Sequence, residues 1–194
     1  MQVIDWNQFL ETGIKNVSRK TSMTAGVFDG VHLGHQALIR LVVSHNVDFI
    51  PAVVTFRQNH KKGNRKDIQS FQQKMEMLEY LGIQITIVID FTAEFSRMSG
   101  IEFLELLLKH GNVGFFTAGS NFRCGHNLDT DAEKLKAFFA SHSIPTEILQ
   151  EVMEGGTPIS SSRIRTAIAA GDARLAEKML AHKCLRMNNI KKEK

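Results

Sequence analysis

This 194-residue chain has few of the residues that make cross-links, stiff linkers or membrane spans. Its two cysteines, Cys124 and Cys184, lie far apart and form no CxxC or zinc pattern. They are expected to be free thiols in a reducing compartment. Three prolines, without repeats or low-complexity runs, leave no place for a Pro-rich linker. No run of about 18 apolar residues occurs, so no transmembrane helix and no membrane partner are expected. The opening MQVIDWNQFLETG lacks a charged segment followed by an apolar one, and a cytoplasmic protein is the expectation. Aromatics make up 8% of the chain, mostly Phe, with one Trp and one Tyr. They do not interleave with basic residues, as a stacking platform for single strands requires. The net charge of +4 suits an anionic ligand. Part of it lies in the terminal KKEK, which argues against nucleic acid as the partner.

What is present is an alternation of apolar runs with helical patterns, the signature of βα units on a parallel sheet. Strands are predicted at SMTAGVF (22–28), FIPAVVTF (49–56), QITIVIDF (84–91), VGFFTAG (113–119) and PTEILQEV (145–152). Helices are predicted at 33–45, 68–81, 100–110, 131–143, 161–171 and 173–182. This predicts an α/β, Rossmann-like, doubly wound sheet of five parallel strands with helices on both faces. One domain, 1–186, is expected, with a basic tail over 187–194. In such sheets ligands bind beyond the carboxyl ends of the strands, which directs attention to GVFDGVHLGH, TFRQNHKK, IDFTAEF, GSNFRCGHN and ISSSRIR.

In GVFDGVHLGH, Gly26, Gly30 and Gly34 permit tight turns and close backbone approach. The helix that starts near Leu33 turns free N–H groups and a positive dipole end towards the strand ends, a ready anion site. His32 and His35 sit beside it. No third ligand stands at zinc spacing, which disfavours a metal. No serine or cysteine stands next to them in a nucleophile turn, which disfavours covalent catalysis. Stabilising charge on a phosphate in transfer fits best. In ISSSRIR, Ser160 to Ser162 stand at a helix start, where hydroxyls cap N–H groups. A plain N-cap with a solvated basic face accounts for that stretch alone. As a second phosphate clamp, Ser161 and Ser162 offer hydroxyls and amides, and Arg165 a planar fork.

Together these stretches resemble the HxGH and ISSTxxR signatures of the nucleotidyltransferase superfamily. The longer FDGVHLGH and ISSSRIRTAIAAGDARLAEKML resemble the FMN adenylyltransferase module of bacterial bifunctional FAD synthetases. The similarity runs from about Thr21 to His182. It implies adenylyl transfer from ATP to FMN by direct attack, giving FAD and pyrophosphate, with Mg2+ bridging phosphate oxygens. It implies His32, His35 and Arg165 as catalytic residues, and Gly26, Phe28, Asp29, Gly34, Ser161 and Ser162 along ATP. It further implies Thr55, Phe56, Asn121 and Phe122 along the flavin. Three departures are visible. TFRQNHKK stands where the family has TFDPHP, so Arg57 or Lys61 becomes a candidate grip on a substrate phosphate. Cys124 stands where the family has a second aromatic, which implies weaker flavin packing. No riboflavin kinase barrel follows, so FMN is expected from a separate riboflavin kinase. The alternatives are a nucleotidyltransferase acting on another phosphate acceptor, and a paralogue that binds nucleotide or flavin without catalysis. The remaining histidines carry less: His45, His110 and His142 fall at predicted helix ends, and His60 and His126 in site loops.

Overall fold

The computed structural model describes residues 1–14, 18–58 and 67–181. Lys61, the other basic residues of 59–66, His60, Cys184 and the tail 187–194 lie outside them.

The chain opens with β1 (Gln2–Asp5) and α1 (Trp6–Thr12), then βα units follow in series: β2 (Thr21–Ala25), α2 (Leu33–Ser44), β3 (Ile50–Phe56), α3 (Phe71–Tyr80), β4 (Ile85–Ile89), α4 (Gly100–Gly111) and β5 (Val113–Gly119). A short antiparallel pair, β6 (Arg123–Cys124) with β7 (Thr130–Asp131), precedes α5 (Ala132–Ser141) and β8 (Thr146–Leu149). A second pair, β9 (Met153–Glu154) with β10 (Thr157–Pro158), leads into α6 (Ser161–Ala169) and α7 (Ala173–Leu180).

The sheet order is β1-β4-β3-β2-β5-β8, parallel throughout. It therefore has six strands rather than the predicted five. The added strand is QVID, an edge strand in which only Ile4 turns inward, so it carries no apolar run for a sequence reading to find. Asp5 then caps α1 by accepting from the Gln8 amide at 2.9 Å, and α1 buries Trp6 and Phe9 in the core.

Side chains of a strand alternate between faces, and β3 displays the rule. Ala52 and Val54 join a cluster with Phe9, Leu104, Leu107 and Phe139, beneath α1, α4 and α5. Val53 joins Ile39, Val42 and Leu78, beneath α2 and α3. Helices thus cover both faces, as a buried parallel sheet requires. A third cluster forms under α6 and α7, around Ile164, Ala176 and Met179. Gln36 of α2 ties that unit down: its buried amide donates to the Val31 carbonyl at 2.9 Å and the Leu180 carbonyl at 2.8 Å.

Two hollows at the strand ends

From β2 the sheet grows through β3 and β4 in one direction and through β5 and β8 in the other. A crevice opens where the order reverses, at the carboxyl ends of β2 and β5. The predicted first strand ends three residues early, at Ala25. Val27 and Phe28 leave the sheet, and Phe28 takes φ 50° and Val31 φ 35°, backbone that bulky residues seldom adopt.

One of two hollows at this crevice is the more polar, about 310 Å³ in volume. Two helix starts converge on it. From α2 come His32, Gly34 and His35; from α6 come Ser160, Ser161, Ser162 and Arg165. Both helices turn their positive dipole ends towards the same space, an arrangement that favours an anion, and Asp29 and Glu151 also line it. His32 is the N-cap of α2, its Nδ1 accepting from the His35 amide at 3.4 Å. Burial pulls the His32 imidazole down from 6.5 to about 4, so it is neutral at pH 7. With Nδ1 accepting, the proton sits on Nε2, leaving that nitrogen as a donor. The His32 and His35 rings stack with centroids 3.6 Å apart at 19°. A neutral His32 spares the pair the repulsion of two stacked cations. Gly34 keeps this start open, because a Cβ there would come within 3.3 Å of the His32 ring.

Asp29 joins the two signatures. Its carboxylate pairs with Arg165 and accepts from the Ile68 amide at 2.8 Å, and its carbonyl accepts from the Ser161 hydroxyl at 3.0 Å. The two glycine- and serine-rich stretches thus meet through one buried residue. Ser160 caps α6 by accepting from the Arg163 amide at 3.2 Å. Arg163 points elsewhere, donating to the Thr157 carbonyl at 2.8 Å.

The second hollow is apolar, about 410 Å³, and adjoins the first. Both are bordered by Val27, His35, Leu38, Gly119 and Asn121. Gly26, Phe28, Phe56 and Phe122 line the apolar side. So do Phe91, Phe95, Met98 and Phe103, which the sequence reading did not single out. Phe56 and Phe91 lie tilted with centroids 6.0 Å apart, and Phe91 and Phe95 edge-on at 5.7 Å, together an aromatic wall. IDFTAEF is one of the strand ends, and its Phe91 and Phe95 are the signal for this wall in the sequence. Cys124 lines this hollow too, where burial pushes its thiol up to about 12 and keeps it protonated.

Other candidates sit further out. Thr55 is fully buried one layer behind the hollows, its hydroxyl donating to the Val27 carbonyl at 3.1 Å. Asn121 donates to Glu151 at 3.0 Å on the shared border. Arg57 pairs with Asp90 at 2.8 Å and lies over the Phe71 ring at 5.0 Å. His126 shares a hydrogen bond with the Ser96 carbonyl at 2.9 Å. His45 and His142 close α2 and α5, and His110 sits in the last turn of α4. Among the described residues, no helix is long and apolar enough to cross a membrane.

The FAD synthetase family pattern matches residues 14–163. An FAD synthetase of Listeria monocytogenes is 28% identical over 173 residues, which cover 85% of this chain and 70% of that protein. A bifunctional riboflavin kinase/FMN adenylyltransferase of Bacillus subtilis is 30% identical over 175 residues, covering 86% of this chain and 55% of its own length. Its Escherichia coli counterpart is 28% identical over 184 residues, or 88% of this chain; the chain thus spans just over half of either bifunctional relative. Among solved structures, a macrolide-efflux protein from Streptococcus pneumoniae superposes with a TM-score of 0.81 at 25% identity, covering 95% of this chain and 61% of that one. A pantoate-beta-alanine ligase from Francisella tularensis shares the fold, with a TM-score of 0.60 at 13% identity over 94% of this chain and 78% of its own. The chain belongs to the FAD synthetase family, and with it to the nucleotidyltransferase enzymes.

Proposed function

We propose that the protein transfers the adenylyl group of ATP to FMN, giving FAD and pyrophosphate. The observation that carries this reading is the shared border: a hollow suited to phosphates opens directly onto one suited to a planar ring. A triphosphate in the polar hollow and a ring against Phe56, Phe91 and Phe95 bring the FMN phosphate to the α-phosphorus beside His35. An oxygen of the FMN phosphate bonds to that phosphorus, the bond to the β-phosphate bridging oxygen breaks, and pyrophosphate leaves. No covalent enzyme intermediate is needed, and the Ser161 hydroxyl is engaged with the Asp29 carbonyl. Catalysis on this reading is positioning plus charge stabilisation: His32 donates a hydrogen bond as a neutral imidazole, Arg165 brings a cation, and His35 and two helix starts complete the set. Gly26, Phe28, Asp29, Gly34, Ser161 and Ser162 frame the nucleotide. Phe56, Asn121 and Phe122 frame the flavin, and Thr55 supports them from behind.

Among the described residues no three His, Cys, Asp or Glu side chains gather into a metal site. The Asp29 carboxylate is engaged by Arg165 and the Ile68 amide. On this reading magnesium enters with the substrate, as MgATP. On this reading FMN is supplied by riboflavin phosphorylation.

The test is chromatography of MgATP and FMN incubated with the protein, beside a His35→Ala control. The expected result is FAD and pyrophosphate from the unaltered protein, with turnover reduced on the order of 100-fold in the variant. Folded protein that binds ATP and makes no FAD overturns the flavin assignment. Other phosphate-bearing acceptors are then screened by pyrophosphate release.

A further inference from the structure

The loop from Gly26 to Val31 is held in backbone that it would not choose. Phe28 and Val31, one aromatic and one β-branched, both have positive φ. Such conformations persist only where the surroundings over-determine them. Besides Thr55, Gln36, Ser161 and Arg165, already described, the surroundings include one short stretch of chain that runs from Ile68 into α3. The Ile68 amide donates to the Asp29 carboxylate at 2.8 Å. The Gln69 side-chain amide reaches the Phe28 carbonyl at 3.5 Å. The Lys74 ammonium donates to the Val27 carbonyl at 3.2 Å and to the Phe56 carbonyl at 2.6 Å. Three consecutive loop residues are thus gripped by residues 68–74.

Lys74 is the unexpected member. It lies one turn before Leu78 on the inner side of α3 and is 5% exposed. A buried ammonium is costly, and an apolar side chain of similar volume would fill the site without that cost. Desolvation pulls its pKa from 10.5 to about 8, against the pull of the Asp29 and Asp67 carboxylates. Its two carbonyl partners account for its presence. Val27 borders both hollows and Phe56 lines the apolar one. Because N–H and C=O point oppositely across a trans peptide, drawing the Val27 carbonyl towards Lys74 turns the Phe28 amide away from it.

We propose that Lys74 is a positioning residue: it fixes the end of β3 against the loop after β2 and so sets the alignment of the two hollows. It touches neither substrate. Its loss should misalign the reacting groups more than it weakens the binding of either substrate.

The turnover readout rests on the adenylyl-transfer reading; the spectroscopic readout does not. Lys74→Met keeps the length and removes the charge. In folded K74M protein, the imidazole proton–carbon resonances of His32 and His35 are expected to shift from their wild-type positions. FAD formation is expected to fall about 100-fold in kcat, with KM for ATP and FMN within about threefold. Lys74→Gln, which keeps two N–H donors on a shorter arm, should lie between, and it is read in the same way if K74M does not fold. Imidazole resonances that superimpose on wild type in a folded variant overturn the proposal, as does a loss confined to KM. If wild-type protein makes no FAD, the flavin reading fails and the resonances still decide the role of Lys74.

Discussion

The two hollows share a border and little else. The polar one takes its histidines, serines and arginine from two contiguous stretches at helix starts, while residues at the ends of β5 and β8, from Gly119 to Asn121 and from Leu149 to Val152, complete its wall. The apolar one includes the runs 25–28 and 121–125, but its aromatic wall is assembled from single residues contributed by the ends of β3 and β4, the turn before α4 and α4 itself. Recognition of a phosphate depends on directed donors, which need a fixed local geometry and therefore a fixed local sequence. Recognition of a ring depends on removing apolar area from water, which any nearby aromatic side chain can do. The first kind of site leaves a motif in the sequence, and the second does not.

The comparison can be broken hardest from the polar side. Arg165→Lys keeps a cation near Asp29 but loses the planar fork. Steady-state kinetics should register a fall in kcat/KM for ATP on the order of 100-fold (about 2.7 kcal/mol) with a nearly unchanged unfolding midpoint. A fall below about threefold would mean that Arg165 serves Asp29 rather than the nucleotide.

The buried state of His32 gives the next effect. Its folded pKa lies near 4, below the 6.5 of an unfolded histidine. Between these values the unfolded chain binds the extra proton, so stability is full above pH 6.5 and is lost as the pH falls towards 4. The whole window is worth about 3 kcal/mol. Denaturant melts at pH 7 and pH 4.5 should differ by most of that amount, and His32→Gln should reduce the difference. An unchanged difference would assign it to other groups.

On the apolar side the effects are smaller and selective. Phe91 is 41% exposed, so Phe91→Ala should leave folding nearly intact. It is expected to raise KM for FMN roughly fivefold while KM for ATP stays put, the size of a lost aromatic contact of about 1 kcal/mol. Equal changes in both constants would show that the two hollows are not separate in function. Smallest of all, Cys124→Phe restores a ring to this wall and should tighten FMN binding by a few-fold, about 0.5–1 kcal/mol, in a fluorescence titration. Unchanged affinity would remove Cys124 as an explanation of flavin strength.

How much could be read in advance follows the same division. GVFDGVHLGH and ISSSRIR were legible because glycines, histidines and capping serines announce a turn and a helix start within ten residues. The Asp29 pairing with Arg165 was not, since the partners are 136 residues apart in sequence. The aromatic wall is half legible: Phe56, Phe91, Phe95 and Phe122 lie in the strand-end stretches, whereas Phe103 falls in a predicted helix and reads as ordinary core. The resemblance implies Thr55 along the flavin, and in the fold its hydroxyl donates to the Val27 carbonyl. No local pattern distinguishes a threonine that faces a ligand from one that supports the wall behind it. Edge strand β1 escaped because a four-residue strand with one inward side chain has no period to detect.

The sequence by itself determined the alternation of strands and helices, the parallel sheet and the two helix-start stretches proposed to meet a phosphate. Each of these depends on neighbours within one turn of helix or one strand. Only the tertiary structure decided that β1 closes one edge, that Asp29 joins the two signatures and that Lys74 is buried beneath the first. It alone decided which phenylalanines face the apolar hollow. Those facts arise where distant segments pack, and a buried charge or an aromatic face takes its meaning from what the fold sets against it.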